Sequence, residues 1–173
     1  METKLVVAEF DSIKEGLKRS LGLVVSSIRR SGGLALLWKK ELSVSVQSFS
    51  ESHIDAIINQ NDGSQNWRFT GFYGNSDTSR REKSWVLLKS LFSINSLLWV
   101  CAGDFNELMH SGEKEGGSTQ PVQHMANFCE VINSCQLHDL GYIGLNFTWI
   151  LPLELTEVNR YLYQYLENPK KSL

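Results

Sequence analysis

Little in this sequence points to secretion, membrane insertion or a metal-finger scaffold. Cysteine is scarce: Cys101, Cys129 and Cys135 are the three in 173 residues, an odd number with no CxxC spacing and no histidine at finger distance. That argues against a disulfide framework and a structural zinc site, and leaves the thiols as reduced core residues. Long apolar runs are missing too, since none approaches the roughly 20 residues that cross a bilayer. The opening METKLVVAEFDSIKEG places acidic residues where a signal peptide has a basic start and a long apolar centre. An intracellular protein is therefore expected, nuclear or cytoplasmic. Positive charge is not in excess: 17 Lys and Arg against 19 Asp and Glu give a net charge of -2, which removes any global electrostatic case for a nucleic-acid partner. Local basic clusters remain in SIRRSGG, WKKE and SRREK, but such runs are usually solvated faces. Internal repeats and low-complexity segments are absent.

What is present is the composition of a soluble globular chain, 42% hydrophobic and 21% charged, long enough to bury a core as one domain. In VVAEFDSIKEGLKRSLG, Phe10, Ile13 and Leu17 recur at three and four residues, which predicts a short amphipathic helix ending near Gly22. In LSVSVQSF, Leu42, Val44 and Val46 alternate with Ser43, Ser45 and Gln47, as in a half-buried strand. ESHIDAIINQ and WRFTGFYG pair across the turn signal Asn61, Asp62, Gly63, Ser64. SRREKSWVLLKSLFSI predicts a helix burying Trp85, Leu88, Leu91 and Phe92. SLLWVCAG is a continuous apolar run of strand length, the pattern of a central strand covered on both faces. PVQHMANFCEVINSCQ places Met125, Phe128, Cys129, Ile132 and Cys135 on one helical face, with Pro121 at its start. LNFTWI is a further strand candidate. The order favours sheets covered by helices.

The stretch VCAGDFNELMHSGEKEGG carries the chemistry. A buried strand runs directly into Gly103, Asp104, Phe105, Asn106 and Glu107. One reading is a strand-end turn in which Asp and Asn side chains bond their own backbone. An EF-hand frame fails, because Leu108 and Met109 fall where a ligand and a glycine are needed. On the functional reading, Asp104 and Asn106 lie two apart on an extended segment and point the same way, a carboxylate and an amide able to hold an attacking water and a phosphate oxygen. Phe105 between them faces the core.

CAGDFNE, together with FTGFYG upstream, EKEGG just downstream and HDLGYIGLNFTW further on, resembles the endonuclease/exonuclease/phosphatase family, and within it the endonuclease domains of plant non-LTR (LINE-type) retrotransposons. The likeness runs from Glu2 to about Trp149 and, more faintly, to Pro169. It implies an α+β fold, the four-layer α/β/β/α sandwich of DNase I-like type, with residues 1–150 as a partial domain and 151–173 as a degenerate tail of the same domain. It also implies a divalent-metal-dependent phosphodiester hydrolase acting on DNA, with Mg²⁺ or Mn²⁺ as cofactor. Residue by residue, METKL resembles the segment whose Glu ligates the metal, which implies Glu2 as its carboxylate. FYG resembles the segment whose Tyr lies beside the scissile phosphate, which implies Tyr73. GDFN implies Asp104 to orient or deprotonate the attacking water and Asn106 to bond the scissile phosphate. Thr148 and Trp149 match a packing segment at the site's rim. His124 and His138 match no catalytic position and are expected in surface or capping roles.

The departures from the family pattern carry their own expectations. The family's first strand, bearing an Asn that helps bind the metal, has no counterpart before Glu2, and no Ser-Asp-His tripeptide occurs. Where the family carries an Arg-Leu-Asp-Arg core, this chain reads Tyr161, Leu162, Tyr163, Gln164. The expectation is a sandwich with its terminal strands missing and with impaired catalysis. The alternative is a retrotransposon-derived remnant without catalysis, or a passive nucleic-acid-binding module.

Overall fold

Alternation and β-branching decide most of the strands. The computed structural model describes residues 20–26, 33–60, 62–115 and 119–140, and the backbone of 149–150, 156–157 and 160–164. Strands β1 (Ser20–Val25) and β2 (Leu34–Lys39) form an antiparallel hairpin. The helix expected to end near Gly22 therefore cannot reach that residue, which pairs with Leu37 in the hairpin. Leu23, Val24 and Val25 supply the bulky, β-favouring side chains that hold the segment extended. The remainder of that expected helix lies outside the described residues.

The main sheet has six strands in the order β3-β4-β5-β6-β11-β8. These are β3 (Ser43–Ser50), β4 (His53–Asn59), β5 (Trp67–Tyr73), β6 (Leu98–Asp104), β8 (Leu137–Asp139) and β11 (Arg160–Gln164). The expected alternation in β3 holds for Val44 and Val46, after which the register on β4 shifts before Ser48 and Phe49 emerges exposed. The pairing expected across residues 61–64 is the β4–β5 hairpin. Among the described strands β5 and β6 alone pair in parallel, and their crossover is helix α1 (Arg81–Phe92). A parallel neighbour needs such a crossover, and a helix supplies it while covering the sheet. Helix α2 (Val122–Ser134) follows β6. Short strands β7 (Lys114–Glu115), β9 (Trp149–Ile150) and β10 (Thr156–Glu157) make a separate three-stranded sheet in the order β7-β10-β9. The segment Tyr161 to Gln164, read from sequence as a decayed motif, lies in β11 between β6 and β8.

Residues on the sheet divide by parity between two faces. Toward the helices, Asp55, Thr70 and Cys101 lie in one cross-strand row and Ile57, Arg68 and Trp99 in the next. Phe72, Trp99 and Cys101 pack there with Leu88 and Leu91 of α1, Phe128, Val131 and Ile132 of α2, and Leu137. The expected inner face of α1 is thus observed, with Trp85 and Phe92 only partly buried against this cluster. On α2, Val131 takes the buried place expected of Cys129, while Cys135 is buried just past the helix end. On the opposite face Ile54, Ala56 and Ile58 are buried, and β2 lies against β4 and β5 with Leu34 buried as well. The run SLLWVCAG forms β6 with Trp99 and Cys101 buried toward the helices, but on the other face Ala102 is buried, Val100 half-buried and Leu98 exposed, so the expected cover on both faces is only partial. Fully burying each large side chain contributes about 1.5–3 kcal/mol.

One polar cluster interrupts the helix-side core. Arg68 Nε donates to Asp55 Oδ1 at 2.8 Å and Arg68 Nη1 to the Leu91 carbonyl at 2.6 Å, tying β5 to the end of α1. The guanidinium lies 5.0 Å from the Trp99 ring centre. Trp99 Nε1 donates to Thr70 Oγ1, whose own hydroxyl donates to Asp55. The three described cysteines are free thiols, and burial pushes those of Cys101 and Cys135 upward, which keeps both protonated.

Candidate active site

The carboxyl ends of two adjacent parallel strands build the site. In the β5–β6 register Tyr73 stands opposite Asp104, the last residue of each strand. Ends of neighbouring parallel strands are where loops diverge and leave room for a ligand. Two glycines permit the close approach. Gly103 has φ +147°, and a Cβ there would stand 2.0 Å from the Phe72 carbonyl oxygen. At Gly74 a Cβ would meet the Phe105 carbonyl oxygen at 1.9 Å. No side chain larger than hydrogen fits either place.

The loops are then stitched together. Gly74 N–H donates to the Asp104 carbonyl at 2.7 Å. Asn106 Nδ2 donates to the Gly74 carbonyl at 2.8 Å, and Asp104 Oδ1 accepts the Asn106 backbone N–H at 2.9 Å. Asn106 has φ +53°, a left-handed conformation that Asn tolerates better than most residues. The segment is therefore not extended through Asn106: the strand ends at Asp104 and turns. Strand alternation does not place Asp104 and Asn106 together; an Asx turn does, the turn chemistry weighed from sequence. Between them Phe105 faces the core as expected, its ring 5.0 Å from Phe72 and 6.2 Å from Phe128. It pins the loop to the helix-side cluster.

The residue after Asn106 is one to which sequence reasoning gave no role. Glu107 is buried and accepts from Trp85 Nε1 at 2.8 Å, Arg81 Nη1 at 3.3 Å and Gln120 Nε2 at 3.3 Å. His124 Nε2 stands 3.2 Å away without the alignment of a hydrogen bond, and its ring lies 5.0 Å from that of Trp85. His124 is thus half-buried against Glu107, not a plain surface residue, whereas His138 on β8 is exposed. Arg81 and Trp85, four apart on α1, share one helical face. That spacing, beside an acid following GDFN, was the available signal.

A cleft of about 430 Å³ opens beside Glu107, lined by Thr78, Ser79, Arg81, Lys114, Thr119 and His124 among others. Its walls come from the segments that leave β5 and β6. Asn75, Asp77 and Ser79 shape the first of these: Asn75 Oδ1 accepts from Asp77 N–H, and Asp77 Oδ1 accepts from Ser79 N–H, both at 3.0 Å. Asn75 N–H in turn donates to Ser84 Oγ on α1 at 2.8 Å.

Of the residues assigned from the resemblance, the structure brings Tyr73, Asp104 and Asn106 to one edge of the sheet. Glu2 and Thr148 lie outside the described residues, and only the backbone of Trp149, in β9, is described. Among the described residues no group of three or more His, Cys, Asp or Glu side chains gathers to hold a metal ion. The residue that the resemblance assigns to the metal, Glu2, lies outside the described residues; a carboxylate is the kind of ligand a hard cation such as Mg²⁺ takes.

No family profile matches the sequence, and no curated protein does. Solved structures do match in shape. The endonuclease domain of TRAS1, a telomere-specific non-LTR retrotransposon, superposes with a TM-score of 0.60 at 12% identity over 94% of this chain and 80% of that one. The human Nocturnin catalytic domain gives 0.56 at 13% identity, over 94% of this chain and 66% of that one. An endonuclease/exonuclease/phosphatase family protein from Bacteroides thetaiotaomicron gives 0.53 at 12%, over 91% and 66%. The chain thus spans about two-thirds of the length of the last two. The fold is α+β and similar to DNase I-like endonuclease domains.

Proposed function

We propose that the chain is a divalent-metal-dependent phosphodiester hydrolase of the DNA endonuclease class. We further propose, from the sequence motifs in their order, descent from a plant LINE-type retrotransposon endonuclease and action inside the cell, in nucleus or cytoplasm. The observation that carries the reading is the stitched pair of strand ends. Tyr73, Asp104 and Asn106 converge at the carboxyl edge of β5 and β6, on a fold shared with a solved endonuclease domain. Asp104 holds the attacking water and takes its proton as the water oxygen bonds to phosphorus and the phosphorus–leaving-oxygen bond breaks, the departing alkoxide taking a proton from solvent water. One amide proton of Asn106 is spent on Gly74, and the other is directed to a non-bridging phosphate oxygen as negative charge develops there. The Tyr73 hydroxyl contacts the same phosphate. Glu2 is the proposed metal ligand, and bound Mg²⁺ or Mn²⁺ would supply Lewis-acid polarisation of the phosphoryl group.

A second reading is favoured by the bonds themselves. Asp104 and Asn106 both perform structural work in the turn, which is what a non-catalytic nucleic-acid-binding module would retain them for. Nicking of supercoiled plasmid by the purified chain with Mg²⁺ or Mn²⁺ separates the two. Hydrolysis that EDTA abolishes and that Asp104→Ala lowers by about 10²–10⁴-fold supports the enzyme. Equal inertness of wild type and variant supports the binding module.

A further inference from the structure

The cleft beside Glu107 is a cavity that the hydrolytic reading does not use. Its two walls are the segments leaving β5 and β6, so it opens at the same edge of the sheet as Tyr73 and Asp104. Glu107, whose carboxylate fastens Arg81 and stands beside His124, follows Asn106 directly in the chain. The residue that holds the lining Arg81 from behind is therefore the chain neighbour of Asn106.

The chemistry of the lining suits an anion. Arg81 and Lys114 bring two fixed positive charges and His124 an imidazole, while Thr78, Ser79 and Thr119 bring hydroxyls. Glu107 offsets part of that charge, and it also holds the guanidinium in place from behind. Arg81 Nε is buried with no hydrogen-bond partner, while His124 Nε2 faces the Glu107 carboxylate at 3.2 Å. A buried guanidinium N–H of this kind usually has an acceptor. Helix α2 begins at the cleft and its N-cap Pro121 makes no side-chain bond, whereas α1 continues a turn that the Asp77 carboxylate caps. The first N–H groups of α2 add to the positive potential.

We infer that the Arg81–Lys114–His124 cleft binds a backbone phosphate of a nucleic-acid strand that also engages the strand-end site at Asp104 and Asn106. This rests on the strand-end site engaging a polynucleotide, yet it does not require that the polynucleotide be cut. The cationic groups of the cleft, Lys114 and the Glu107-paired Arg81, stand on the segments that leave the same end of the sheet as the strand-end site.

The test is the salt dependence of binding to a short fluorescein-labelled DNA duplex, measured by anisotropy in EDTA so that no hydrolysis intervenes. Lys114→Gln is expected to weaken binding roughly three- to tenfold and to lower the slope of log Kd against log salt by about one. Lys114→Arg should restore both, which a loss of folding would not allow. Lys40→Gln serves as control, because the exposed turn between β2 and β3 lies by register at the opposite edge of the sheet. A slope unchanged in Lys114→Gln, or lowered as much in Lys40→Gln, overturns the inference. So does displacement of the duplex by inorganic phosphate at constant ionic strength at concentrations that match its own tight binding, which would make the cleft a small-anion site. Plasmid nicking by the same proteins keeps the two readings apart. Metal-dependent nicking with an unmoved slope removes the cleft and leaves the enzyme. A Lys114-dependent slope without nicking leaves the cleft and removes hydrolysis.

Discussion

Asn106 combines two properties that substitutions can separate. Its backbone sits at φ +53° and its amide reaches Gly74. Asn106→Ala loses the amide bond and places an alanine in left-handed backbone, a combined cost of about 2 kcal/mol. Asn106→Gly also loses the amide but relieves the backbone, so its denaturant midpoint should lie between alanine and wild type, while under the proposed hydrolytic function both variants lose nicking. Gly74→Ala presses a methyl into the Phe105 carbonyl at 1.9 Å, and should lower stability by about 3 kcal/mol or more, read from urea unfolding. Glu107→Gln removes the negative charge that Arg81 faces at 3.3 Å and sets an NH₂ group among donors. A loss of about 2–4 kcal/mol is expected, since the guanidinium stays half-enclosed without its counter-charge. The nearly neutral outcome would mean that water already screens this pair.

At the scale of elements, β4 and β5 meet α1 through polar groups as well as apolar ones. Thr70→Val keeps the shape but strips the acceptor from Trp99 Nε1 and the donor from Asp55, and a loss of about 2–4 kcal/mol in urea unfolding is expected. At the start of β4, His53 bonds Ser48 and Ser50 at 2.9 and 2.8 Å. Burial lowers its pKa below the usual histidine value; Asp55 opposes that shift and Arg68 reinforces it. The neutral ring is therefore favoured by folding. Its contribution is complete above about pH 6.5, the unfolded value, and is lost as pH falls toward the lower folded value, because the unfolded chain takes up the proton first. Unfolding midpoints measured from about pH 7.5 down to 5.5 should fall in wild type and fall less in His53→Gln. Strand β3, the β4–β5 hairpin, α1, β6 and α2 were legible because local alternation and three-to-four spacing are set by neighbours in sequence. Strand β1 was not: the periodicity of Phe10, Ile13 and Leu17 carried the expected helix too far, and the pairing of Gly22 with Leu37 is a contact no local pattern displays.

For the molecule as a whole, the fold could be read from short motifs, and so could the placement of Tyr73, Asp104 and Asn106 at one end of the sheet. The geometry that joins them could not. Asp104 and Asn106 meet through a turn, and Asn106 reaches Gly74 across 32 positions, a link that only the parallel β5–β6 pairing creates. Arg81, Glu107 and His124 were hidden for the same reason, each on a different element. Sheet order has a consequence for how the chain is made. Strand β11 separates β6 from β8, yet about 55 residues lie between the end of β6 and its start. At a ribosome adding about 5–20 residues per second, β6 emerges with one hydrogen-bonding edge open for roughly three to ten seconds. During that interval the nascent chain presents an apolar strand able to pair with any other extended peptide, so the molecule's exposure to aggregation and to chaperones is greatest before β11 leaves the tunnel.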